Sequence, residues 1–307
     1  MIISASRRTD IPAFYADWFL RRLDDGQVLV PNPWNPRQVG RVRLSPDHVD
    51  CIIFWTKNPE PMLAKLDRLD ALGYRYYFSF TITAYGRGIE QRMPPKRRVL
   101  DTFRRLADRL GPHRVDWRFD PVMVSDAYPL QWHLDRFGAL CLRLRGYTER
   151  CMMNFIKSYP HIASRVRLMD DAAVRQTAEG LAAIAAEHGI PLYACTEQWD
   201  LREYGIPAGA CIDRGKIESL TGWPLAARKD PGQPDSCNCL ESVDIGMYGT
   251  CPHGCTYCYA TTHDEAVRRR MEDHDPASPM LTGRPDGMER ITDRTRPSLR
   301  DRQFRLL

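Results

Sequence analysis

The stretch VDCIIFWTKNPEPMLAKLDRLDALGYRYYFSFTIT, residues 49–83, contains one complete structural unit and the start of the next. Val49 to Thr56 is a short β-rich run that reads as a strand. Lys57-Asn58-Pro59 interrupts it. Pro59 to Leu72 then places Met62, Leu66 and Leu69 at helical spacing and stops at Gly73, with proline near the start and glycine after the end. Tyr76 to Thr83 resumes the strand pattern.

The same unit repeats outward from this stretch. Met1 to Ser6, Val115 to Met123, Cys151 to Ile156 and Pro191 to Thr196 read as strands, and Pro12 to Asp25, Pro94 to Leu110 and Asp170 to His188 as helices ending at Gly26, Gly111 and Gly189. Alternation at this spacing implies an α/β fold with a mainly parallel sheet, wound as an open sheet or as a full or partial TIM-like (β/α) barrel. In either arrangement the functional groups belong on the loops after the strand C-terminal ends. Polar residues gather there: Arg7, Arg8 and Asp10 after the first strand, Lys57 after the second, Thr83 after the third, Lys157 after the fifth and Glu197 after the sixth. On the fourth, Arg118 and Asp120 alternate with Trp117 and Phe119 and so share one face. Each of these residues alone is also what a solvated strand end looks like; together they describe a polar mouth.

Composition narrows the class. Hydrophobic residues make up 43% of the 307 and charged residues 27%, and no apolar run approaches the roughly 20 residues a membrane helix needs. The N-terminus reads as a strand and not as a signal peptide, which places the expected site of action in the cytoplasm. The 44 basic and 39 acidic residues are interspersed, giving a formal charge of +5 that permits a nucleic-acid partner without arguing for one. Ten cysteines without an export signal point to metal or cluster ligation ahead of disulfides.

Three of them form Cys251-Pro-His-Gly-Cys255-Thr-Tyr-Cys258, a C-x3-C-x2-C run. Three thiolates on a four-iron cubane leave one iron open to an outside chelator, and Gly254 relieves the crowding of a loop wrapped round a cluster. A zinc site would prefer four closed ligands, with His253 as the fourth. Cys195, Cys211, Cys237 and Cys239 lie near the triplet in sequence, the last two as C-x-C in a Pro/Gly-rich loop. They are candidates for a second, closed iron-sulfur cluster, or in the case of Cys195 for plain core packing. Cys51, Cys141 and Cys151 sit in apolar contexts and read as packing residues.

The run Cys251 to Ala260 resembles the cysteine motif of the radical S-adenosylmethionine superfamily, and is especially similar to its spore photoproduct lyase branch. The resemblance implies a 4Fe-4S cluster on Cys251, Cys255 and Cys258 that binds S-adenosylmethionine and, once reduced, cleaves it to a 5′-deoxyadenosyl radical, with Tyr257 near the adenine. Ser6 to Pro12, Phe54 to Pro59, Arg118 to Pro121, Cys211 to Asp213 and Asp244 to Gly246, together with the triplet, resemble a bacterial family of unknown function (domain of unknown function 1848) over residues 1 to 263. In most superfamily members the motif follows the first barrel strand. Here it lies near the C-terminus, which implies a circularly permuted barrel whose first strand is Ser242 to Met247. One departure is that no Gly-Gly-Glu segment follows the second strand; Arg7, Arg8, Thr9 and Asp10 stand there instead.

The resulting expectations are βα units over 1–200, a cysteine-rich segment with the cluster loop and closing strand over 201–263, and a charged helix with a mobile tail over 264–307. Arg118, Asp120, Lys57 and Glu197 are the candidate catalytic residues; Tyr257, Asp10, Arg7 and Thr83 are the candidate cofactor contacts. The substrate, nucleic acid or small molecule or peptide, stays open, and the electron donor would be a flavodoxin or ferredoxin. Two other readings stand beside the enzyme: an iron-sulfur electron carrier or sensor, and a zinc-stabilised binding module.

Overall fold

The computed structural model describes residues 1–195 and 198–301. In chain order its elements are β1 (Ile2–Ala5), α1 (Ile11–Phe14), α2 (Ala16–Asp24), β2 (Gln27–Asn32), β3 (Asn35–Arg43), β4 (Cys51–Thr56), α3 (Glu60–Leu63), α4 (Leu66–Ala71), β5 (Tyr76–Thr81) and α5 (Lys96–Leu110). There follow β6 (Val115–Val122), α6 (Leu130–Leu144), β7 (Cys151–Phe155), α7 (Asp171–Glu187), β8 (Leu192–Ala194), α8 (Arg214–Thr221), β9 (Val243–Asp244), α9 (Asp264–Glu272) and β10 (Arg290–Asp293).

A seven-stranded sheet runs in the order β8-β7-β6-β5-β4-β1-β9, and every ladder in it is parallel. Leaving out the β2–β3 hairpin, the strands from β1 to β8 each pair with the next in sequence, and β9 returns to the opposite edge beside β1. This is an α/β fold with a parallel seven-stranded sheet flanked by helices. Among the described residues no ladder joins β8 to β9, so the sheet is open there. The C-terminal β9 pairs with β1 at Ile3↔Val243 and Ser4↔Asp244, which brings the cysteine loop beside the N-terminal strand.

Alternation within the strands divides the interior in two. Ile3, Ile52, Phe54, Tyr76, Phe78, Phe80, Trp117 and Phe119 form the core beneath the helices. Ile2, Cys51, Ile53, Tyr77 and Met152 point to the opposite face, where they meet Ile212, Ile217, Leu225 and Leu240 from the segment around α8. Burial on both faces is why these strands read as continuous apolar runs.

The helix spanning 12–25 is broken at Tyr15, whose buried hydroxyl donates to the Thr250 carbonyl at 2.5 Å, and 59–72 divides into α3 and α4. The β2–β3 hairpin has no counterpart in the sequence reading because Pro31, Pro33, Pro36 and Gly40 obscure its pattern. Beyond α9, where a mobile tail was expected, the chain packs back onto the body: β10 adds in parallel to β3. The Trp18 indole donates to the carbonyls of Ser278 and Met280, and Ser298 and Leu299 donate to Asp50. Too few apolar residues lie in this stretch to give a periodic signal. No helix of the described residues is long and apolar enough to cross a membrane.

Candidate functional site

The loops at the C-terminal ends of the strands enclose a cavity of about 510 Å³. Cys251, Cys255 and Cys258 line it and are half-buried, whereas the other seven cysteines are buried. Arg7, Asp10, Lys57, Arg118, Asp120 and Tyr257, expected from sequence, line it too. Thr83 stands behind the wall and Glu197 lies outside the described residues. Tyr159, Tyr248 and Tyr259 line the same cavity, with the Tyr159 and Tyr259 rings 5.5 Å apart and the Arg8 guanidinium 4.9 Å from the Tyr248 ring.

The cysteine loop is held from three sides. Asp244 of β9 accepts hydrogen bonds from Ser4 Oγ, Ser6 Oγ, the Arg7 amide and the Gly246 amide, at 2.5–3.0 Å, and so fixes β9 against β1. At Gly246 a side chain would collide with Ser6 Oγ, which accounts for the glycine there. Asp10 uses Oδ1 to cap α1 through the Ala13 amide, while Oδ2 accepts from the Lys57 amide at 2.7 Å and lies 2.8 Å from Nε2 of buried His253. One carboxylate thus joins the loops after β1 and β4 to the cysteine loop.

The third side is the segment before α5. Glu90 bridges Cys255 in antiparallel fashion, the Thr256 amide donates to the Ile89 carbonyl at 2.9 Å and the Arg92 amide to the His253 carbonyl at 3.0 Å. Gly254 has φ +67°, and a Cβ there would come within 2.8 Å of Arg92, so the crowding expected of this loop is present. Glu90, 1% exposed, receives Lys57 at 2.7 Å, Lys96 at 2.5 Å, the Tyr257 hydroxyl at 2.6 Å and the Thr83 hydroxyl at 2.6 Å. Burial works against its charge, but the two ammonium groups outweigh it and hold the carboxyl well below the usual range. Lys57 in turn is raised by Glu90 despite the opposing effect of burial. The sequence marks Lys57, Thr83 and Tyr257 as separate candidates; that they converge with Lys96 on Glu90 emerges only in the fold.

Beneath the mouth, Arg118 and Asp120 form an ion pair on one face of β6, as the alternation implied. The Arg7 and Arg118 guanidinium groups lie 5.2 and 5.3 Å from the centroid of the Trp55 ring. Nη1 of Arg118 also lies 2.7 Å from Sγ of Cys211. Cys195, Cys211 and Cys239 have their sulfurs within 4.8 Å of one another, and Cys237 flanks Cys195 and Cys239. These buried cysteines can hold a metal. Cys51, Cys141 and Cys151 are buried in the core, as their sequence contexts implied.

A solved structure described as a "putative alpha-L-fucosidase from Bacteroides thetaiotaomicron VPI-5482" is similar over 73% of this chain and 83% of its own, at 12% identity and a TM-score of 0.27. That likeness is too low to carry fold or function across. No curated protein matches the chain. A family model described as "Domain of unknown function (DUF1848)" matches residues 2–260, which takes in β1 to β9, the Glu90 hub and all ten cysteines. The chain belongs to the DUF1848 family.

Proposed function

We propose that this protein is a radical S-adenosylmethionine enzyme built on a circularly permuted, partial (β/α) barrel, with Cys251, Cys255 and Cys258 as the ligands of a 4Fe-4S cluster. The observation that carries the reading is the state of the three thiols. All three come from one tight C-x3-C-x2-C loop and stand half-buried on the wall of one cavity, so that a group they held would face the cavity on its open side. A larger inorganic group with one side open to the cavity fits them better than zinc with His253, whose ring is held by Asp10. When bound and reduced, such a cluster would supply the electron that splits S-adenosylmethionine and yields a 5′-deoxyadenosyl radical.

The chain's own residues then have distinct tasks. Glu90, with Lys57, Lys96 and Thr83, fixes the Tyr257 ring against the cavity and sets the backbone of the cysteine loop. Asp10 holds His253 and the loop after β4. Arg118 and Asp120, on the cavity floor, offer a cation to the carboxylate and an anion to the amino group of S-adenosylmethionine, or the same pair to a polar substrate. The tyrosines around the cavity and the enclosing loops limit water at the reacting centre.

Anaerobic reconstitution followed by dithionite and S-adenosylmethionine tests the proposal. The expected result is release of 5′-deoxyadenosine by the native protein and none by Cys255→Ala. Bleaching of a visible chromophore without 5′-deoxyadenosine would point to an electron carrier, and a colourless protein to a zinc module.

A further inference from the structure

Independently of the radical chemistry, we propose that Cys195, Cys211, Cys237 and Cys239 form a closed tetrathiolate site for one divalent metal ion, of the zinc type, that braces the open edge of the sheet and sets the cavity floor. The four come from three separate segments: Cys195 just after β8, Cys211 in the loop before α8, and Cys237 and Cys239 in the loop before β9. All four are buried and unbridged.

Their spacing identifies the occupant. A tetrahedral ion with metal–sulfur bonds of about 2.3 Å holds its sulfurs about 3.8 Å apart. The Cys195 and Cys239 sulfurs are 3.9 Å apart, and three of the four lie mutually within 4.8 Å. A cubane would insert irons and sulfides between the thiolates and spread them further, so a single ion suits this group better than a second iron-sulfur cluster.

The surroundings treat the sulfurs as anions. Cys239 Sγ accepts the amide N–H groups of Cys211 at 3.2 Å and Ile212 at 3.4 Å, and Cys211 Sγ accepts from Arg118. Cysteines packed as small apolar residues have no use for such donors. Four thiolates on a divalent ion carry a charge of −2, and two guanidinium groups, those of Arg7 and Arg118, adjoin the site. Nη2 of Arg7 is buried and without a partner among the described residues, which suits a cation facing an anionic group. Because Arg118 also lines the cavity, the ion would position this side chain for whatever binds above it.

The test is a metal and sulfide count on the full-length triple variant Cys251→Ala/Cys255→Ala/Cys258→Ala, which separates this site from the triplet. The expected result is roughly one zinc per chain with no acid-labile sulfide. The count should fall in Cys237→Ser. Should the triple variant not fold, native protein purified in air and loaded with cobalt(II) serves instead, with tetrahedral cobalt–thiolate bands expected at one equivalent. Iron with sulfide retained in the triple variant, or a metal-free folded chain whose buried thiols take up no cobalt, would overturn the proposal. Neither outcome depends on 5′-deoxyadenosine being formed.

Discussion

Cys251, Cys255 and Cys258 come from one loop and stand half-buried on a cavity wall. Cys195, Cys211, Cys237 and Cys239 come from three segments, are buried and crowd together beneath the cavity floor. The difference teaches that cysteine count alone does not define a site. A local, open arrangement leaves one side for an outside ligand and costs the fold little if lost. A non-local, closed one ties the chain to itself and serves stability first.

The largest effect should follow from breaking the closed group. Cys239→Ser removes the sulfur that takes two amide donors, and we expect a loss of roughly 5 kcal/mol or more of stability, read as insoluble protein or a collapsed urea midpoint. Stability unchanged within about 1 kcal/mol would mean these cysteines are ordinary core. Next in size is Glu90→Gln, which leaves the half-buried Lys57 and Lys96 without their anion and should cost about 2–4 kcal/mol. The carboxyl is held below its ordinary value of 4.5, so its contribution is present above that pH and declines as pH falls towards the folded-state value. The glutamine variant should lose that part of the acid slope; an identical pH–stability curve would remove Glu90 from the account.

Gly246→Ala tests the junction of β9 with β1. The added methyl meets Ser6 and should cost about 1–3 kcal/mol by thermal unfolding, with cluster loading impaired because the cysteine loop starts there. The smallest stability effect belongs to Cys255→Ala, expected within about 1 kcal/mol of native, while iron binding at the triplet is lost. A severe destabilisation there would erase the contrast between the two groups.

Much of the sheet was legible because its strands are buried on both faces and its helices carry one apolar stripe: Cys51–Thr56 and Tyr76–Thr81 fall inside the runs read from sequence. The pairing of β9 with β1 was also expected, from the short β-rich run before the cysteine loop. What escaped was non-local or masked. Prolines hid the β2–β3 hairpin, and β10 of Arg290–Asp293 has one apolar side chain. The convergence of Lys57, Lys96, Thr83 and Tyr257 on Glu90 is visible only in the fold, whereas Cys195, Cys211 and Cys239, grouped with Cys237 from the sequence, do meet.

Electron paramagnetic resonance of the anaerobically reconstituted, dithionite-reduced protein, with and without S-adenosylmethionine, bears most directly on the claim that the triplet carries a cluster with an open iron. The account predicts a reduced-cluster signal that changes on adding S-adenosylmethionine and is absent from Cys255→Ala. A signal that survives that substitution, or one indifferent to S-adenosylmethionine, would contradict it.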